Sequence, residues 1–426
     1  MNIVMITNTF TPHLGGVARS VQTFTVELRR RGHRVLVIAP AFEGMPEVEE
    51  DVIRLPAWRH FTGGDFSVPA PLPGRVARAL NAFHPEIVHA HHPFLLGETA
   101  LRVGASRGLP VVFTHHTLYE RYTHYLPGDS PQLRRFAIDL ATGFGNQCDA
   151  VIAPSRSVAE LIAARGVITP IDVIPTGVDL DLFSPGDGGG LRDRLGIPRQ
   201  AFVAGHVGRL APEKAPLFLA AAVARFLRRE PGSHFLLVGA GPCEEEMEAV
   251  FARQGLSRQL HRMHVLTGME LVEAYRAMDA FVFASQSETQ GMVLTEAMAT
   301  GAPVIALDGS GVREVVRDGC NGRILEGVDE EGFAEAIAWL AGLDGERIRG
   351  LRVNALRTAE EFSLSRSGDK LLNLYQRLKV RHPGEKNFED SRWASTGRLF
   401  RKEFRILRNL AHAAEEALRF RETDEG

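Results

Sequence analysis

The chain has 426 residues, of which 44 % are hydrophobic and 24 % charged, and its formal net charge is −3. This length holds two domains with separate cores, and the composition excludes a disordered or collagen-like chain. The near-zero charge excludes a global attraction for nucleic acid or anionic membrane, so any such binding must come from a local patch.

From the N-terminus, short β-rich apolar runs alternate with helical periodicity. Strands are predicted at 3–7, 35–39, 87–90, 111–114 and 151–153, with a helix at 18–31. Such alternation predicts a parallel sheet wound on both faces, with ligands at the carboxyl ends of its strands. The first turn, Asn8-Thr9-Phe10-Thr11-Pro12-His13-Leu14-Gly15-Gly16, lacks GxGxxG, which argues against a nicotinamide enzyme. No basic leader precedes the first strand and no apolar run reaches about 18 residues, so neither a signal peptide nor a membrane span is expected. Cys148, Cys243 and Cys320 show no CxxC spacing or paired framework, which suits a reducing, cytoplasmic compartment.

Two histidine clusters follow predicted strands: His89, His91 and His92, then His115 and His116. Their spacing fits no zinc signature and no aspartate accompanies them, so no metal is expected. Tyr119, Tyr122 and Tyr125 recur at helical spacing, which suits packing or a loop meeting a membrane interface.

The glycine-rich run 183–190 reads as a hinge, after which strands are predicted near 202–207, 234–239, 263–266, 280–284 and 303–307. Arg209 and Lys214 lie between the strand at 202–207 and a helix at 216–229, without the GxxxxGK[ST] pattern of an ATPase loop. Arg209 can bind an anion bidentately and Lys214 as a point charge. Further on, 290–300 reads as a helix with Gly301 as a left-handed cap and a buried strand behind it. Glu288 then sits at the helix start and Glu296 about 12 Å along the axis, so the two carboxylates meet different parts of a long ligand. Between them the amides of Gln290, Gly291 and Met292 and the positive helix end suit a diphosphate. No DxD-like acidic pair appears, so metal-independent chemistry is expected.

These segments, in this order, together with Gly15-Gly16 and the turn Leu236-Leu237-Val238-Gly239-Ala240-Gly241-Pro242, resemble the retaining glycosyltransferases of the GT-B fold over residues 1–375. The resemblance implies an α/β chain of two Rossmann-like, doubly wound parallel-sheet domains facing a cleft. Its parts would be an acceptor domain at 1–184, a nucleotide-sugar donor domain at 185–360, a helix crossing back at 361–380 and a helical extension at 381–426. It implies transfer of a hexose from a nucleotide-diphosphate sugar, UDP-glucose or GDP-mannose among the options, to an acceptor hydroxyl, without metal or other cofactor.

Residue by residue, it assigns Arg209 and Lys214 to the diphosphate, Glu296 to the ribose and Glu288 to the donor sugar, without a covalent role for Glu288. Gly15, Gly16, Gly239, Thr289, Gln290, Gly291 and Met292 line the donor. His116, or His115 in its place, meets the sugar's primary hydroxyl. His91, His92, His115 and Tyr119 belong to the acceptor pocket, in contact with the acceptor or in hydrogen bonds beneath it. Residues 116–125 and 288–291 look like the branch that glycosylates diacylglycerol. The expected partners are the donor and a lipid or glycan acceptor, with peripheral contact at the inner membrane face and no nucleic acid. The competing readings are a soluble or polysaccharide acceptor, a non-catalytic sugar-nucleotide-binding subunit, and a metal-dependent hydrolase built on the histidines.

In the tail, Phe400, Phe404, Leu407, Ala411, Ala414 and Leu418 form one helical stripe, with Arg398, Arg401, Lys402, Arg405 and Arg408 on the other side. The pattern predicts either an interfacial helix or one packed on the first domain by that stripe.

Overall fold

The structure, a computed structural model, describes the chain except for residues 14, 59–67, 70–72, 124–127, 328, 382–390 and 421–426. Two compact units result: Met1–Thr176 with Ser367–Gly426, and Gly177–Arg366.

In the first unit the strands are β1 (Asn2–Ile6), β2 (Arg34–Pro40), β3 (Val52–Leu55), the two-residue β4 (Ala57–Trp58) and β5 (Val68–Pro69), β6 (Ile87–Ala90), β7 (Val111–Thr114), β8 (Ala150–Ala153) and β9 (Ile171–Val173). Apart from the antiparallel ribbon β4-β5, they form a parallel seven-stranded sheet in the order β3-β2-β1-β6-β7-β8-β9. The central strands are apolar and buried on both faces because helices cover each side. The helix Leu364–Arg381 places Leu371, Leu374, Tyr375 and Leu378 in the core that contains Ile3 and Met5.

The second unit repeats the scheme with β10 (Val203–Val207), β11 (His234–Val238), β12 (Leu260–Met263), β13 (Ala280–Phe283), β14 (Val304–Leu307) and β15 (Gly322–Leu325), ordered β12-β11-β10-β13-β14-β15 and parallel throughout. Chain order therefore reverses between β1 and β6 in one sheet and between β10 and β13 in the other. The segments leaving neighbouring strands diverge there, one to each face, and open a crevice at the carboxyl ends.

Two spans differ from the sequence expectation. β12 ends at Met263 instead of starting there, because it is a half-buried edge strand carrying His261 and Arg262, whereas the apolar run after it exposes Val265. The helix expected from 290 begins at Met292, with Gly291 before it at φ 73°, a left-handed conformation that a side chain would strain. Gly301 closes that helix at φ 90°.

The C-terminal helix Ser391–Arg419 packs on the helices Leu96–Arg107 and Pro131–Gly145 of its own unit. It does so by a face other than the predicted stripe. Ile406, Ala413 and Ala417 are buried, Ser395 Oγ donates to the Ser106 carbonyl (2.6 Å), Arg398 Nε to Ala105 (2.9 Å), Lys402 Nζ to Gln147 (2.9 Å) and Asn409 Nδ2 to Leu140 (3.1 Å), and Arg102 pairs with Glu403 (2.6 Å). These polar contacts to backbone carbonyls are invisible to hydrophobic periodicity, and of the two expectations for the tail it is packing by the stripe that does not hold. Among the described residues no helix is long and apolar enough to cross a membrane.

Candidate active site

The β10/β13 crevice of the second unit gathers most of the residues assigned to the donor. Arg209 leaves β10, followed by the short 3-10 turn Pro212–Lys214, with Ala215 in a left-handed conformation before the helix Pro216–Arg229. Lys214 Nζ pairs with Glu288 Oε1, which leaves β13; each side chain is about one-fifth exposed (19 % and 20 %). Residues 74 apart in sequence thus share one partly desolvated ion pair. Ser287 Oγ donates to the Glu213 carbonyl (3.0 Å), joining the same two segments. The carbonyl of Glu288 accepts from Gly311 N (3.1 Å) and Ser310 Oγ (2.9 Å), so the loop after β14 also holds it.

The Arg209 segment is tied to the glycine turn through Leu210 N to Ala240 O (3.0 Å) and Cys243 N to Leu210 O (2.9 Å). At Gly239 a Cβ would stand 1.9 Å from the Gly208 carbonyl oxygen, so glycine alone permits this approach. Beneath Lys214, His206 is buried and its Nδ1 lies 2.9 Å from the Val282 carbonyl. Burial pushes its pKa down to about 4, so the ring is neutral and Nδ1 donates.

Glu296 lies within the helix Met292–Ala299, only 4 % exposed, where Tyr275 donates to its Oε2 (2.8 Å). Thr289 and Met292 are half-buried, and Gln290 and Gly291 buried. The carboxylates of Glu288 and Glu296 accordingly have different partners. Glu296→Ala is expected to raise the Michaelis constant for the donor about 10- to 100-fold, the scale of a hydrogen bond to a charged group, with turnover little changed. A variant that loses turnover at unchanged Michaelis constant would remove Glu296 from the ribose.

In the first unit the histidines gather at the β1/β6 crevice. His92 Nδ1 accepts from Asn8 N–H (3.1 Å), which makes it the neutral Nε2–H tautomer. His89 bridges Tyr375 (2.7 Å) and Thr114 (2.7 Å), and His91 Nδ1 meets His116 Nε2 at 2.9 Å, with the rings of His89 and His91 4.2 Å apart. Burial lowers His89 and His92 to about 3 and His115 to about 4; it also lowers His91 and His116, with their histidine neighbours adding to the effect. The cluster is a set of neutral donors and acceptors. Three buried polar atoms here, Thr9 Oγ1, His91 Nε2 and His115 Nδ1, have no hydrogen-bond partner among the described residues.

Tyr119 packs edge-on against Phe94, and burial keeps its hydroxyl protonated. Gly15 precedes the helix Gly16–Arg30, while Leu14 and Tyr125 fall outside the described residues. Among the described residues no group of three His, Cys, Asp or Glu is arranged to hold a metal ion.

Sequence reasoning missed Tyr275, His206, Ser310, Gly311, Asn8 and Tyr375. For Tyr275 and Tyr375 the available signal was a tyrosine on an apolar helix face, whose hydroxyl must find a partner when buried. A cavity of about 340 Å³ lined by Arg192, Arg276, Asp279 and Arg352 opens at the opposite, amino-terminal edge of the second sheet, away from these residues.

Two doubly wound parallel sheets with polar crevices at both reversal points define the GT-B class of glycosyltransferase. Anabaena HepE, solved in complex with UDP, shares the fold at a TM-score of 0.70 and 22 % identity over 88 % of this chain and 100 % of that one. Sucrose-phosphate synthase from Thermosynechococcus elongatus gives 0.73 and 22 % over 89 % and 100 %. The Glycosyltransferase Family 4 model matches residues 14–182 and the Glycosyl transferases group 1 model residues 201–342. D-inositol 3-phosphate glycosyltransferase of Actinosynnema mirum is 33 % identical over 380 residues, 83 % of this chain and 90 % of that one. Alpha-monoglucosyldiacylglycerol synthase of Acholeplasma laidlawii is 30 % identical over 344 residues, 76 % and 84 % of the two. The chain belongs to this glycosyltransferase family and is a transferase enzyme.

Proposed function

We propose that the enzyme transfers a hexose, with retention at the anomeric carbon, from a nucleotide-diphosphate sugar to a hydroxyl of a lipid acceptor of the diacylglycerol type. The observation that carries the reading is the grouping of Arg209, Lys214, Glu288 and the start of the helix Met292–Ala299 at one crevice. As the bond from C1 to the diphosphate oxygen breaks, the diphosphate leaves with the electron pair. The acceptor oxygen bonds C1 and its proton passes to the departing phosphate. Arg209, Lys214 and the helix amides meet the charge that grows on the leaving group. For Lys214 this means exchanging Glu288 for the phosphate, which frees the Glu288 carboxylate to accept from sugar hydroxyls. The neutral histidines suit uncharged hydroxyls, since they can donate or accept without fixing a charge.

UDP as the carrier is supported by the ligand of HepE, and a lipid acceptor by the Acholeplasma relative. The Actinosynnema relative favours inositol 3-phosphate as a second acceptor reading. Incubation with UDP-glucose or GDP-mannose and either diacylglycerol vesicles or inositol 3-phosphate, with the anomeric configuration read by NMR, decides among them. An inverted product, or release of free hexose alone, would overturn the proposal. Because two cations and a helix terminus supply the counter-charge, transfer is expected to persist in excess chelator; activity lost to chelator and restored by Mg²⁺ would overturn the metal-independent reading.

A further inference from the structure

The helix Ser391–Arg419 is docked by one face, and the face turned away from the body is apolar. Phe400 is 76 % exposed, Phe404 62 %, Leu407 63 % and Leu418 86 %. With Ala411 and Ala414, also exposed, these residues recur at steps of four and three, so they form one stripe about 27 Å long at roughly 1.5 Å per residue. Arg401, Arg405 and Arg408 follow positions of the stripe by one residue, which sets them about 100° around the helix, along one flank of it. All three are exposed. Aromatic and leucine side chains exposed to this extent on a helix already anchored by its opposite side indicate a surface that something covers.

We infer that this stripe is the surface by which the protein docks on an anionic lipid bilayer, Phe400, Phe404, Leu407 and Leu418 entering the headgroup boundary and Arg401, Arg405 and Arg408 meeting lipid phosphates. Charge decides between this occupant and a second copy of the chain. The six positions also follow the spacing of a coiled-coil seam, but a partner helix needs acidic residues opposite the arginine flank. Glu403, which lies on the other flank, is held by Arg102. Ala411 and Ala414 would leave the middle of such a seam thinly filled. Anionic headgroups meet three exposed arginines that form no ion pair among the described residues, and a chain of net charge −3 needs such a local patch to approach an anionic surface. The inference is independent of which acceptor the enzyme uses.

The test uses the full chain and sedimentation with vesicles of phosphatidylglycerol and phosphatidylcholine, against phosphatidylcholine alone. Binding is expected on the anionic vesicles at low salt and is expected to weaken as the Debye length shortens. Arg401→Gln, Arg405→Gln and Arg408→Gln together should weaken it about 100-fold, roughly a factor of five for each charge. The triple variant Phe400→Ser, Phe404→Ser, Leu407→Ser should abolish it while donor-induced thermal stabilisation stays unchanged, since these side chains are exposed and far along the chain from the donor residues. Wild-type binding retained by the serine variant would overturn the inference. So would a wild-type dimer that the serine variant converts to a monomer, with no vesicle binding by either, which would assign the stripe to a second copy. Loss of transfer activity with vesicle binding intact would instead count against the proposed acceptor.

Discussion

Lys214→Ala and Arg209→Ala are each expected to lower turnover about 10²- to 10³-fold, the scale for removing one group that stabilises charge in the transition state. The Lys214–Glu288 pair adds a sharper expectation. Glu288→Ala leaves Lys214 without the carboxylate it pairs with, and Lys214→Ala leaves Glu288 partly desolvated without a cation. With donor bound, each side chain has exchanged the other for a different part of the donor, so at saturating donor the double variant should lose about the product of the two single losses. Single-turnover rates with saturating donor measure this directly. A loss in the double variant far short of that product would mean that the pair persists in the donor complex, and near-normal turnover in Lys214→Ala would remove that residue from the diphosphate.

Mild acid is expected to unfold the first unit. His89 and His92 titrate near 3 and His115 near 4 in the folded chain, against about 6.5 when unfolded. Between those values the unfolded state binds a proton that the folded state does not, so stability falls as pH falls below about 6.5. Each histidine contributes about 1.4 kcal/mol per pH unit, and the three together about 4. Moving from pH 6.5 to 5 then removes about 5 kcal/mol, because the unfolded rings are already half protonated at about 6.5, and this is comparable with the whole stability of a marginal domain. His91 and His116 act in the same direction. Urea midpoints at pH 7.5 and 5.0 test this. A midpoint that holds steady to pH 5 would mean that protons reach these rings without unfolding, and a His89→Gln variant should show a shallower dependence than the wild type.

The sequence was most legible at the centre of each sheet. β1, β2, β6, β7 and β8 in one unit, and β10, β11, β13 and β14 in the other, are buried on both faces and stand out as apolar runs. Illegibility collected at the edges. β3, β9 and β15 went unpredicted and β12 was displaced, and these are the four outermost strands. An edge strand is short and half-solvated, so it lacks the continuous apolar signal. The site divides similarly. Arg209, Lys214, Glu288 and the histidines are recognisable because each follows a strand. Which strands stand side by side is not a local property, so neither the Lys214–Glu288 pair nor the Tyr275–Glu296 bond could be read in advance. The tail shows the converse, where a clear stripe was legible but the polar contacts that choose the docked face were not.

The division of the chain sets an order for biosynthesis. The second unit is one continuous stretch, Gly177–Arg366, whereas the first needs Ser367–Gly426 to complete it. Tyr375, which holds His89, and the helix over Leu96–Arg107 and Pro131–Gly145 are translated after the whole of the second unit. Domains usually mature from the N-terminus as the ribosome advances. Here the later-encoded unit is finished first, and the N-terminal sheet waits with part of its apolar surface uncovered until the helices beyond residue 366 emerge. A ribosome stalled beyond residue 366 would thus carry a complete second unit beside an unfinished first one, and chaperone demand should fall on the N-terminal half.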